Sequence, residues 1–255
     1  MKTNKILGQH FLKSKKIIKN IIKAAELKEE DAVLEIGPGR GILTEELIKH
    51  SGKVIAIEKD KRLAEYLRTK FSDSIKMSQL KVIHGDILKI KNQFRQVGTK
   101  FKIVANIPYY LTSKLFRQFL QSDFQPSKIV FMVQREVAER IVARGGKESI
   151  LSISIKVYGK PKIICNVPAK YFSPKPRVHS AILLIDNISK NFFRDINEKN
   201  FFNLVKKGFS SKRKLLKNNL MSDTRYLREC KISERARAEN LSPKDWKCLL
   251  KTLKL

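Results

Sequence analysis

Acidic residues are scarce in this chain: 24 Asp and Glu stand against 54 Lys and Arg, a formal charge of +30 over 255 residues. Such an imbalance points to a polyanionic partner. The basic residues are spread through a globular pattern instead of one terminal amphipathic helix, which favours nucleic acid over a membrane surface. Cysteine is nearly absent. Cys165, Cys230 and Cys248 are odd in number and lack Cys-x-x-Cys spacing, so a zinc site or disulfide framework is not expected, and reduced thiols in a cytoplasmic protein are. None follows a proline in a catalytic-looking turn, which leaves a thiolate mechanism without a candidate. His10, His50, His84 and His179 show no metal-ligand spacing, and no metal is expected. No apolar run approaches the roughly 20 residues of a membrane span, so no membrane contact is expected either. Only seven residues precede Gly8, too few for a targeting peptide.

What is present is an alternation. Apolar, strand-like runs at Ala32-Ile36, Val54-Glu58, Leu80-Ile83, Phe101-Ala105, Ile129-Val133, Leu151-Tyr158 and Ala181-Ile185 interleave with helical patterns at Ser14-Ala25, Ile42-Lys49, Lys61-Phe71, Ser113-Leu120 and Arg135-Ala143. Strand then helix, repeated, predicts an α/β domain built on a largely parallel sheet with helices on both faces. The last strands lose their intervening helices, and turns at Tyr158-Pro161 and Pro168 predict an antiparallel edge. Beyond Asp186 the alternation stops. Helices are expected at Glu198-Phe209, Lys214-Met221 and Ser242-Leu253, the last opened by an N-cap serine with proline at the first helical position. The expected division is therefore a domain over residues 1–186 and a small all-helical domain over 187–255.

Glu35-Ile36-Gly37-Pro38-Gly39-Arg40-Gly41 joins the first long strand to its helix, where an open parallel sheet binds nucleotides. Glu58, 21 positions after Gly37 (58 minus 37), ends the next strand and suits both hydroxyls of a ribose. A dinucleotide site would share that acid. However, Gly37-x-Gly39-x-Gly41 is shorter than Gly-x-Gly-x-x-Gly, and Glu35 inside it would oppose a pyrophosphate. S-adenosylmethionine carries no phosphate, and its sulfonium and amino group tolerate carboxylates. Asp86, after the third strand, is placed to accept from the cofactor's adenine amino group, with Lys59 counted among the cofactor-contacting residues.

Asn106-Ile107-Pro108-Tyr109 follows the fourth strand and points to methylation of an exocyclic amine. The lone pair of such an amine is delocalised into its ring. An Asn side-chain oxygen and the following backbone carbonyl can each accept one N–H, favouring a pyramidal nitrogen whose lone pair faces an electrophile. Pro108 stiffens the turn and biases Ile107 towards an extended conformation, while Tyr109 offers a ring for a flipped base. No general base is required.

With these motifs, Gly8-Gln9-His10-Phe11-Leu12, Phe172-Ser173-Pro174-Lys175-Pro176-Arg177-Val178 and Arg237-Ala238-Glu239-Asn240-Leu241-Ser242, the chain resembles the ribosomal RNA adenine N6-dimethyltransferase family, in particular its bacterial small-subunit branch. The resemblance runs from Gly8 to near the C-terminus. It implies a Rossmann-like class I S-adenosylmethionine-dependent methyltransferase sheet with a helical C-terminal domain. By resemblance, Gln9, His10 and Leu12 line the cofactor pocket, Gly37 and Gly39 approach the methionine moiety, Glu58 holds the ribose, and Asp86 and Ile87 hold the adenine. Asn106 and the Ile107 carbonyl would orient the target amine, with Tyr109 and Phe172 packing on the flipped base. His10 departs from the family, which usually has Asn there.

The implied substrate is 16S ribosomal RNA in the 30S subunit or its precursor, dimethylated on two adjacent adenosines near its 3′ end by a monomer. Lys206, Lys207, Lys212, Arg213, Lys214 and Lys217 are the candidate phosphate contacts, which position RNA without reading its bases. Three alternatives stay open: a macrolide-resistance-type methylase of 23S RNA, a DNA adenine methylase, and a non-catalytic RNA-binding assembly or transcription factor on the same fold.

Overall fold

The computed structural model describes residues 10–90, 100–221 and 224–254. Gln9, with Gly8, Lys2 and Lys5, lies outside the described residues. By residue contacts the chain divides into two compact units, Met1–Ala138 with Lys162–Ile188, and Glu139–Pro161 with Ser189–Leu255.

The first unit begins with a short strand, β1 (Phe11–Leu12), and helix α1 (Lys15–Ala25). Apolar residues at 17, 18, 21, 24 and 25 give α1 one buried face, and Ser14 caps it by accepting from the Ile17 N–H. There follow β2 (Ala32–Ile36), α2 (Ile42–His50), β3 (Lys53–Glu58), α3 (Lys61–Lys70), α4 (Ser72–Lys76), β4 (Leu80–His84), β5 (Phe101–Asn106), α5 (Thr112–Leu120) and β6 (Lys128–Gln134), and α6 (Arg135–Val142) begins in this unit and continues into the second. Strands β2 to β6 pair in parallel, in the order β4-β3-β2-β5-β6. Buried on both faces, they carry near-continuous apolar runs. Alternate residues of β6 show why: Phe131 packs on Phe116 of α5 with ring centroids 5.3 Å apart, while Val130 and Met132 join Ile17, Ile18 and Ile21 of α1. The chain runs outward from β2 through β3 and β4, then returns to β2's other side as β5. That reversal leaves a crevice beyond the carboxyl ends of β2 and β5.

The segment Leu151-Tyr158, expected as a strand, is instead the helix α7 (Ile150–Lys156). Its Ser-Ile-Ser-Ile alternation imitates a strand, but Ser149 and Ser152 form a reciprocal capping box (3.1 and 2.7 Å) that starts a helical turn. Burial of Ser152, Ile153 and Ile155 then overrides β propensity. The strand comes next, as β7 (Lys160–Val167), followed by β8 (Phe172–Ser173) and β9 (Ser180–Asp186). Strand β9 pairs antiparallel with β6, and β7 closes that edge of the sheet. Its Pro161 is at home there, because an edge strand can lack one ladder donor. Strand β8 pairs antiparallel with β1 as a separate two-stranded sheet.

The second unit is helical, adding α8 (Glu198–Gly208), α9 (Leu216–Leu220), α10 (Arg225–Glu229) and α11 (Pro243–Thr252) to α7. Trp246 is completely buried, and a Cβ at Gly208 would lie 2.2 Å from its ring, so close packing of α8 on α11 demands glycine. Ser242 and Asp245 form the expected cap of α11. Cys230 and Cys248 are joined as a disulfide, correcting the expectation of three thiols, and Cys165 is the free cysteine. The two partners are 18 residues apart, a separation that carries no recognisable motif. Among the described residues no helix is long and apolar enough to cross a membrane.

Candidate active site

A cavity of about 290 Å³ opens beyond the carboxyl ends of β2 to β5. Its floor is the turn after β2, where Gly37, Gly39 and Gly41 all take positive φ (66°, 60° and 76°), a conformation that side chains strain against. The Gly37 N–H donates to the Ile57 carbonyl (2.9 Å), tying the turn to β3. At Gly39 a Cβ would also meet the Phe11 ring at 2.9 Å. Phe11, stacked under the Arg40 guanidinium at 4.8 Å, thus forms a wall of the cavity.

Two buried carboxyls frame the turn. Glu58, at the end of β3, accepts from the Gly39 N–H (3.0 Å) and the Asp60 N–H (2.9 Å). Burial raises its pKa, and the backbone donors from Asp60, Gly39 and Lys59 oppose the rise. Carboxylate oxygens have further lone pairs, so this one can still accept from hydroxyls. Glu35 is only 1% exposed and accepts from the Thr44 hydroxyl at 2.7 Å. Desolvation pushes its pKa up to about 8, the Thr44 hydrogen bond pulls it down, and the charge of Glu58 adds to the rise. Near neutral pH Glu35 is therefore largely a neutral acid, where the sequence suggested a charge. Asp86 pairs with Lys59 (2.9 Å) and accepts from the Leu88 N–H (3.0 Å). Its partial burial works upward, but Lys59 and that N–H together hold it below the ordinary aspartate value. Ile87, buried beside it, is fixed through its carbonyl by Gln118 (3.0 Å).

Asn106 ends β5 on the far side of the turn. Its Nδ2 donates to the His10 carbonyl at 3.2 Å, which commits the donor edge of the amide and turns Oδ1 to the other side as an acceptor. Pro108, at φ −58° and ψ 131°, leads into a 3-10 turn at Tyr109–Leu111 closed by the Leu111 N–H on the Pro108 carbonyl (3.0 Å). The Tyr109 hydroxyl is hydrogen-bonded to buried Ser180 at 2.8 Å, and its ring lies 6.2 Å from that of His10 at an interplanar angle of 21°. Burial raises the Tyr109 pKa, and Ser180 opposes it.

His10, Leu12, Glu35, Gly37, Gly39, Glu58, Lys59, Asp86, Ile87, Asn106, Ile107, Pro108 and Tyr109 all line this cavity. Phe172 does not join them: it is 4% exposed, paired with Leu12 through the backbone and packed in the core with α1. Phe11 and the 54%-exposed Tyr110 are further wall residues, not expected from the sequence. Both adjoin recognised motif residues, which was the available signal. The donor set suits S-adenosylmethionine: a glycine turn for close approach, a carboxylate for hydroxyls and an acid for an amine. In the second unit, Lys206, Lys207, Lys212, Arg213 and Lys214 are exposed and Lys217 is half-buried. Asn219, not anticipated, donates to the Gly208 (2.6 Å) and Ser211 (3.0 Å) carbonyls and shapes the turn that carries the central three.

Comparison with known proteins agrees with this geometry. A curated relative from Dehalococcoides mccartyi, named ribosomal RNA small subunit methyltransferase A, is 41% identical across 98% of this chain and 88% of its own length. One of the same name from Halothermothrix orenii is 38% identical over 99% and 89%. Among solved structures, the 23S rRNA methyltransferase ErmE superposes with a TM-score of 0.81 at 25% identity, covering 96% of this chain and 100% of the other. A dimethyladenosine transferase from Plasmodium falciparum gives 0.80 at 29%, covering 96% and 98%. The model of the family described as ribosomal RNA adenine dimethylase matches residues 1–254. The chain belongs to the ribosomal RNA adenine dimethylase family, and it is an S-adenosylmethionine-dependent methyltransferase of ribosomal RNA.

Proposed function

We propose that this enzyme dimethylates N6 of two adjacent adenosines near the 3′ end of 16S ribosomal RNA, within the 30S subunit or its precursor, as a cytoplasmic monomer. The observation that carries the chemistry is the oriented amide of Asn106 beside the cavity. An adenosine flipped out of structured RNA meets the acceptor Oδ1 of Asn106 and the Ile107 carbonyl, each taking one N–H of the amine. Held this way, the nitrogen directs its lone pair at the electrophile. S-adenosylmethionine, held by the glycine turn, Glu58 and Asp86, would supply an activated methyl on its sulfonium, and the amine nitrogen held by Asn106 and the Ile107 carbonyl would give up its proton to solvent as that methyl is transferred. The Tyr109 ring, tethered by Ser180, is the stacking platform for the base. Phe172 would reach the base only if its loop opened, so Tyr109 carries the larger role in this reading.

Glu58 would hold the ribose hydroxyls, Asp86 and Ile87 the cofactor adenine, with Lys59 orienting Asp86. In the helical domain over 187–255, the cations from Lys206 to Lys217 would contact RNA phosphates and leave base choice to the cavity. The small-subunit names of the curated relatives favour the 30S target, whereas the likeness to ErmE keeps a 23S target as the second reading. Transfer of labelled methyl to undermethylated 30S particles, with 50S particles and duplex DNA alongside, tests the proposal. Dimethyladenosine confined to small-subunit RNA is the expected product. Label in 50S RNA would support the resistance-type reading, and cofactor binding without transfer would support a non-catalytic role.

A further inference from the structure

Three contacts converge on His10, and together they join the cofactor wall to the acceptor side. Its carbonyl accepts from Asn106 Nδ2 (3.2 Å), its Nδ1 meets the Pro174 carbonyl at 2.8 Å, and its ring faces that of Tyr109. A carbonyl can only accept, so Nδ1 carries the proton. Tyr109 in turn holds Ser180. Pro174 and Ser180 are the two ends of a segment that exposes Lys175, Arg177 and Val178, and one end is therefore tied to His10 and the other to Tyr109.

Strand β1 is two residues long, so its register against β8 rests on the pairs Phe11↔Ser173 and Leu12↔Phe172, on the Lys13 N–H to the Tyr171 carbonyl (2.8 Å), and on the imidazole. The imidazole belongs to the same residue as the carbonyl that orients Asn106. An amide whose donor edge is not held can rotate by half a turn and present N–H groups to an amine that needs acceptors. We infer that His10 is a positioning residue which, through its Nδ1–H, pins the 174–180 segment and fixes the carbonyl that sets the Asn106 amide for the acceptor nucleotide. The inference rests on the proposed role of Asn106 and adds a coupling between the cofactor wall and the substrate rim.

Two variants separate the hydrogen bond from the ring. His10→Asn keeps a donor at the position of Nδ1 and loses the ring, and His10→Phe keeps a ring and loses the donor. His10→Phe is expected to lower kcat about tenfold, the effect of one lost hydrogen bond expressed in the transition state. S-adenosylhomocysteine affinity is measured alongside and kcat is read at saturating cofactor, because His10 also lines the cofactor cavity. His10→Asn should recover most of the lost kcat. Amide hydrogen exchange supplies a readout independent of activity: residues 175–180 should exchange faster in His10→Phe and at the wild-type rate in His10→Asn. His10→Ala replaces His10→Phe should that variant fail to fold. Equal kcat and equal exchange in both variants would overturn the inference, as would a loss confined to cofactor affinity. A wild-type enzyme without methyl transfer would overturn the proposed function instead, and the exchange pattern would still decide the role of His10.

Discussion

The two ends of the parallel strands treat buried charge in opposite ways. At the amino ends two cations are matched: half-buried Lys102 in β5 meets Asp31 at 2.7 Å and the Glu26 carbonyl at 2.6 Å, and buried Lys128 in β6 meets Glu26 at 2.5 Å and Asp186 at 3.8 Å. Glu26, beside Lys128, is held below its ordinary pKa by that hydrogen bond and charge. At the carboxyl ends Glu35 and Glu58 are buried against a hydroxyl and backbone N–H groups instead of cations, and both pKa values rise. Paired charges close a structure. Carboxyls desolvated without a cation are open to a ligand that brings donors, and under the proposed function a sulfonium-bearing cofactor with hydroxyls and an amine would supply them. The same sheet thus has a finished end and a receptive one.

Substitutions at each end should separate along this line. The largest effect is expected from Asn106→Ala, which should lower kcat roughly 10²- to 10³-fold by analogy with loss of one preorganised polar group, while S-adenosylhomocysteine affinity measured by calorimetry changes little. Glu58→Ala should weaken that affinity by about 10- to 100-fold, as expected for loss of hydrogen bonds to a charged acceptor, with a smaller change in kcat at saturating cofactor. At the finished end, Lys102→Met should lower stability by about 1–3 kcal/mol because Asp31 loses its cationic partner and keeps the Lys28 N–H, measured by urea unfolding, with kinetic constants of the folded enzyme unaltered. A kinetic defect in Lys102→Met would break the comparison.

A pH dependence completes the comparison. Glu35 has an ordinary value of 4.5 and a folded value of about 8, so the folded state binds its proton more tightly than the unfolded state. Its contribution to stability is complete below about 4.5 and is lost as pH rises through about 8. Glu35→Gln should flatten the stability profile across that window. An unchanged profile would show that Glu35 ionises without penalty.

Much of the receptive end was legible from residues. Strands β2 to β6 fall within one residue of their apolar runs because burial on both faces leaves little freedom, and the glycine turn, Glu58, Asp86 and Asn106 each terminate one of those strands or follow it directly. The helix α7 was misread because Ile and Ser alternate with the period of a strand while a two-serine cap decides the outcome. Phe172 resembled a platform by its place before a proline turn, yet Leu12 and α1 enclose it. The contacts of His10 span 96 residues to Asn106 and 164 to Pro174, and no local pattern encodes distances of that kind. The matched ions at the amino ends were equally hidden, since Lys128 and Glu26 lie 102 residues apart.

The most direct test places wild type, Asn106→Ala and Lys102→Met side by side, with labelled methyl transfer to undermethylated 30S particles and S-adenosylhomocysteine affinity measured on the same preparations. The account predicts dimethyladenosine from wild type and from folded Lys102→Met, and almost none from Asn106→Ala despite near wild-type cofactor affinity. Near wild-type transfer by Asn106→Ala would contradict it.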